Sequence, residues 1–95
     1  MALRSSPETD ALFEAILTLR DIDECRTFLI DLLTVREMKD MARRLQVARL
    51  LSQGENYNAI SHVTGASSAT ISRVSHCLAA EESGYRLVLT RLTTP

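Results

Sequence analysis

The chain has 95 residues, 45% of them hydrophobic and 24% charged, the usage of one globular domain that gains from pairing with a second copy. No run approaches the ~18 uninterrupted apolar residues of a membrane span, so a membrane partner is not expected. The formal net charge of −1 conceals an asymmetry, because residues 1–40 hold 5 Lys or Arg against 9 Asp or Glu and residues 41–95 hold 6 against 3. The C-terminal half is therefore the one suited to face a polyanion. MALRSSPETD lacks the basic start and apolar run of a secretory leader, which predicts a cytoplasmic protein. Cys25 and Cys77 stand in neither a CxxC nor a Cys/His spacing, so each is expected as a small packed side chain rather than a metal ligand or half of a disulfide.

In chain order, Ser6-Pro7-Glu8 is a helix start: a capping hydroxyl, a proline at the first helical position and an acid near the positive end of the dipole. Leu12, Phe13, Ile16, Leu17 and Leu19 mark the apolar face of a helix over about 7–20. Asp21 with Glu24 opens a second helix, whose Ile22, Cys25, Phe28, Leu29, Leu32 and Leu33 recur at helical spacing to about residue 33. Thr34 with Glu37 forms a capping box, and Met38, Met41, Leu45, Ala48 and Leu51 carry the longest helix to Gly54. Val47 and Leu50 widen that helix's apolar face beyond what one packing partner needs, which predicts a second surface from another chain. Asn56 caps a helix over about 57–64, and Ser67 caps another over about 68–79 with Ile71, Val74 and Leu78 inward. After Gly84, residues 85–92 resume an apolar pattern; with no partner strand anywhere, a short helix is expected there.

Two short helices joined by a glycine-containing turn form the helix-turn-helix arrangement, whose second helix enters the DNA major groove. Ile60, Gly65, the cap Ser67, and the pinning residues Ile71 and Val74 fall at the required spacing. Small outward residues at the start of the second helix allow close approach to base edges, hydroxyls bond to bases or phosphates, and free N–H groups attract a phosphate. Ser67 is thus read as a cap that also contacts a DNA phosphate, Ser68 and Ser72 as base or phosphate contacts with Ala69 facing outward beside them, Thr70 as a packing and hydrogen-bonding residue, and Arg73 as a phosphate or ligand cation. Asn56 and Asn58, at the start of the first helix, complete the DNA-contacting candidates.

FLIDLLTVREMKDMARRLQVARLLSQGE and TGASSATISRVSHCL together resemble the tryptophan repressor family of bacteria over about residues 28–80. The specific parts are Leu33-Thr34, Arg44, Gly54-Glu55 and Ala69-Thr70-Ile71 before Arg73. The TISRV run, Cys77-Leu78 and Gly84-Tyr85 are most similar to its YerC/YecD branch. The resemblance implies an all-α, six-helix fold in one domain: a core and dimerisation region over about 7–53 and 81–92, and a helix-turn-helix over about 56–79. It implies an intertwined homodimer and a roughly palindromic double-stranded DNA operator, in a docking geometry for which the tryptophan repressor is itself a standard example.

The same resemblance implies a site for an amino-acid or other small-molecule corepressor between the long helix and the recognition helix. Its residues here are Leu33, Thr34, Arg44, Thr70, Arg73, Val74 and Cys77, with Arg44 and Arg73 on the positions that sandwich the ligand's ring. Val74 stands where tryptophan-binding members have glycine, Cys77 where they have serine, and Asp31 replaces an apolar residue, so L-tryptophan itself is disfavoured. On sequence alone Arg44 is equally explained by pairing with Asp40 four residues earlier. No bound cofactor or metal is expected.

Two other function classes are weighed. His62 and His76 stand in no triad or metal-ligand spacing, so catalysis is not expected. A helical protein-interaction module that modulates transcription without its own DNA site remains the alternative to a DNA-binding regulator, most simply a repressor.

Overall fold

A computed structural model describes residues 5–93, so the reading of the first four residues lies outside what is described. Six helices form in chain order: α1 (Pro7–Leu17), α2 (Ile22–Leu32), α3 (Val35–Ser52), α4 (Tyr57–Thr64), α5 (Ser68–Ala79) and α6 (Gly84–Thr93). Among the described residues there is no strand, and no helix is long and apolar enough to cross a membrane. The chain divides into two compact units, the first ending at Met38 and the second beginning at Lys39.

The first unit holds α1, α2 and the first turn of α3. The Ser6 hydroxyl accepts from the Thr9 N–H while the Thr9 hydroxyl accepts from the Ser6 N–H, so the box that starts α1 is closed by Thr9 rather than by the acid Glu8. This helix ends at Leu17, short of the expected residue 20. The Thr18 hydroxyl donates to the Ala15 carbonyl at 2.7 Å, the last turn tightens to i→i−3 bonds, and the Arg20 N–H is taken by Glu24 Oε1 at 2.9 Å. A back-bonding threonine and a diverted amide leave the helix nothing to propagate on. Asp21 caps α2 by accepting from the Glu24 N–H at 2.8 Å. The Thr34–Glu37 box forms as expected, at 3.1 Å from the Glu37 N–H and 2.9 Å from the Thr34 N–H. The Thr34 N–H, and the Thr34 hydroxyl beside it, favour the ionised carboxylate and hold Glu37 below its ordinary value of 4.5.

The second unit contains the core: Val47 and Ala48 of α3, Ile60 of α4, Ala66 of the turn, Ile71 and Val74 of α5, and Leu89 of α6. Leu45, Leu50, Leu51, Leu78 and Tyr85 pack around it. Val47 is wholly enclosed within this unit, which corrects the expectation that it serves a surface for another chain. An 18-residue helix presents its apolar stripe over a wide arc, and α4 and α5 fold back over the part that includes position 47. At the end of α3, Gly54 adopts φ +86°, its N–H donates to Leu51 O and the Glu55 N–H donates to Leu50 O, a Schellman closure. Ser83 caps α6 by accepting from the Arg86 N–H, and the Arg86 guanidinium donates to the carbonyls of Ala80 and Glu81 at 2.6 and 2.7 Å. These bonds satisfy acceptors left open where α5 stops.

Candidate nucleic-acid interface

The candidate interface is α4, the turn Gly65-Ala66-Ser67, and α5, all within the second unit. Asn56 starts α4 by accepting from the Ala59 N–H at 2.9 Å. Gly65, at φ +72° in the left-handed region, ends it, and its N–H donates to Ser61 O at 2.8 Å. A β-carbon at that φ is disfavoured, which is why glycine serves there. Ser67 is extended, and its hydroxyl accepts from the Thr70 N–H at 3.2 Å to start α5.

The turn is then fastened by hydroxyls. Thr64 Oγ1 donates to Ile60 O at 2.7 Å and accepts from the Ala66 N–H at 3.1 Å, while Ser61 Oγ donates to Ala66 O at 3.0 Å. Ser67 Oγ donates to Thr70 Oγ1 at 3.1 Å. Ala66 is buried, so its amide and carbonyl need these partners away from water. The dense hydroxyls around Gly65 therefore divide into two sets. Ser61, Thr64, Ser67 and Thr70 set the angle between the helices, and Ser68 and Ser72 have no such task.

Ile60, Ile71 and Val74 are almost completely enclosed, so α5 is pinned along one face as its spacing predicts. On the other side Ser68, Ala69 and Arg73 are exposed, as are Asn56 and Asn58 at the start of α4; Ser72 is half-buried. Among the described residues the Ser68 and Ala69 N–H groups have no acceptor, because Ser67 reaches only those of Thr70 and Ile71. Residues 56–80 contain no Asp or Glu, while Arg73, His62 and His76 lie within them. A helix start with open N–H groups and small side chains, in a segment that carries no acid of its own, presents positive potential to whatever approaches.

Within the second unit the residues implied for a corepressor are found at different places. Arg44 and Thr70 share a depression of about 310 Å³ beside the turn, with Asp40, Arg43 and Ser67 also on its wall. Arg73 is exposed on α5 outside that depression. Val74 is 1% exposed and belongs to the core, so its spacing as a pinning residue describes it and its reading as a pocket wall does not. Cys77 is exposed rather than packed, a correction of the expected burial, and lines a separate apolar depression with Leu45, Tyr85 and Val88. Position 77 is six residues after Ile71, about 120° around α5 from it, which carries its side chain off the enclosed face. Leu33 and Thr34 belong to the first unit, where Thr34 caps α3. Among the described residues no ion pair joins Arg44 to Asp40; the one present is Arg26–Asp23 at 3.0 Å, on α2. Cys25 is half-buried.

Residues 7–93 match the Trp repressor protein family. The chain belongs to that family. Trp repressor proteins are DNA-binding regulators, and the helix-turn-helix built by α4 and α5 is the part of this member that suits that activity. Over 85 residues the chain is 47% identical to the uncharacterised protein YerC of Bacillus subtilis (strain 168), covering 90% of this chain and 82% of that one. Its fold matches a crystal structure from Staphylococcus aureus, proposed by its description to be a Trp repressor, with a TM-score of 0.89 and 42% identity over 96% of this chain and 91% of that one. A TrpR-like protein from Eubacterium eligens ATCC 27750 matches with a TM-score of 0.87 and 40% identity over 92% and 90% of the two chains.

Three features of this Trp repressor family member escape a reading of residue types. Ser61 and Thr64 work as turn fasteners, a role visible only once the α4–α5 angle is known. Tyr57, between the two candidate asparagines, is exposed. Arg43 stands beside Arg44 on the depression wall.

Proposed function

We propose that this protein is a sequence-specific transcriptional regulator, a repressor acting as a cytoplasmic homodimer, that lays α5 of each protomer into successive major grooves of a roughly palindromic operator. The observation that carries the reading is the outer face of the first turn of α5. Ser68 and Ala69 are exposed and small, in a segment without Asp or Glu, their N–H groups are unclaimed, and the helix that bears them is locked at a set angle by the turn. Small groups allow the helix axis to approach the base edges, and the two open amides receive a backbone phosphate. Ser68, Ala69 and Ser72 face the bases in this reading, Arg73 and the Asn56–Asn58 pair hold the backbone, and Ser67 sets the helix rather than the sequence preference.

The homodimer is supported by the first unit, in which neither α1 nor α2 buries a single residue while Leu17, Ile22 and Ile30 stand more than half exposed. A twofold pair would present two α5 helices to grooves about 34 Å apart. No effector is assigned. Val74 stands where tryptophan-binding members have glycine and is enclosed in the core, which disfavours L-tryptophan as the effector.

The test is selection of duplexes from a random library, followed by anisotropy titrations over a salt series. Wild type is expected to bind the selected duplex with log K falling by about 0.9 per neutralised phosphate against log salt. Ser68→Asp, which places a carboxylate against the duplex, is expected to cost about ten- to a hundredfold on the selected site, the scale of one lost base contact. Binding that is absent on every duplex at low salt would transfer the protein to the class of helical protein-interaction modules.

A further inference from the structure

The depression beside the turn holds two guanidinium groups that the fold does not use. Arg43 is exposed and Arg44 half-buried on α3, and among the described residues neither makes a hydrogen bond or an ion pair. Across from them lie Ser67 and Thr70, three residues apart on one side of the first turn of α5. Thr70 Oγ1 accepts from Ser67, which leaves its own proton free to donate outward. Asp40 also borders the depression, from α3, and is the one carboxylate on its wall. It forms no ion pair with either arginine, so it lowers the local potential without engaging their donors.

We propose that this depression is a seat for a single phosphodiester group of duplex DNA, with Arg43 and Arg44 as the cationic clamp and Thr70 as a hydroxyl donor. The proposal rests on the DNA-binding reading above and adds to it a contact on α3, outside the helix-turn-helix itself. Guanidinium is the side chain whose forked donors match phosphate oxygens, and two of them supply more directed donors than one tetrahedral anion needs. A volume of about 310 Å³ leaves room for the group and bridging water. The seat takes in Ser67 and Thr70, which bracket the exposed Ser68 and Ala69 in the chain, so in the DNA-binding reading it lies next to the groove-facing turn and takes a phosphate of the adjoining strand. It therefore contributes affinity and register but no base preference.

Salt-dependent titrations read this directly. Arg43→Gln and Arg44→Gln are each expected to weaken binding by about tenfold, equally on selected and random duplexes, and the double variant to make the salt slope shallower by about 0.9. The Arg43→Lys/Arg44→Lys double variant keeps the cationic charge and is expected to restore the slope, while Asp40→Asn is expected to tighten every duplex by a few-fold. A loss confined to the selected sequence, or a slope and affinity unchanged in the Gln double variant, overturns the seat. If wild type binds no duplex at all, the DNA-binding reading falls separately, and the seat is then probed with inorganic phosphate by amide chemical shifts. Shifts over Gly65–Thr70 that vanish in the Gln double variant support an oxyanion seat, and their absence in wild type overturns it.

Discussion

The two units of this chain spend their apolar residues differently. In the unit beginning at Lys39, seven residues drawn from four helix segments and a turn close over one another, and Val47, Ala48 and Ile71 are sealed completely. In the unit ending at Met38, α1 and α2 are amphipathic and well capped, yet neither buries a residue. Capping and periodicity are thus enough to specify a helix, but an isolated helix of 11 residues is marginal in water without something against its apolar face. The second unit supplies its own core, while the first leaves Leu17, Ile22 and Ile30 more than half exposed in the single chain.

The sharpest way to break that contrast is to hollow the core of the second unit. Ile71→Ala is expected to lower stability by about 2–5 kcal/mol in chemical denaturation, independent of protein concentration, because an enclosed side chain is replaced by a cavity. Next in size is a change in the first unit. Ile22, 75% exposed in the single chain, would be harmless to replace if it met only solvent. If it is covered in a homodimer, Ile22→Asp costs about 2 kcal/mol per copy, seen as dissociation in sedimentation equilibrium and a midpoint that depends on concentration. A concentration-independent, wild-type midpoint for this variant would remove the argument for pairing through α2.

Smaller effects distinguish the caps of the two units. Ser67→Ala removes the acceptor for the Thr70 N–H and the donor to Thr70 Oγ1, and is expected to cost about 1 kcal/mol in a thermal melt while loosening the α4–α5 angle. The smallest concerns Glu37, whose acidity is raised by accepting from the Thr34 N–H and pairing with its hydroxyl. Because the folded carboxyl lies below its ordinary value of 4.5, its contribution is present above that value and is lost as pH falls through the folded one. Acidification below about pH 4.5 should therefore speed exchange of the Thr34 amide, and Glu37→Gln should show no such pH step.

Much of the candidate site was legible because local chemistry specifies it. The bounds of α4 and α5 follow from Asn56, Gly65 and Ser67, residues whose capping geometry is nearly independent of what lies around them. The end of α1 was not legible, since Thr18 and Leu19 are compatible with helix and only the diversion of the Arg20 amide to Glu24 closes it. Val47 was assigned outward for a related reason: an apolar stripe shows which residues are to be covered, not which element covers them.

What the amino-acid order determined by itself is therefore the set of helices, their caps and the identity of the turn, because each depends on bonds spanning no more than a few residues. Which hydroxyls fasten the turn and which remain outward, that Val74 is sealed while Cys77 is not, and that Arg43 and Arg44 stand beside Thr70 were decided only by the packing of α3, α4 and α5. Those facts depend on distances between segments far apart in the chain, and such distances are settled by closing a core.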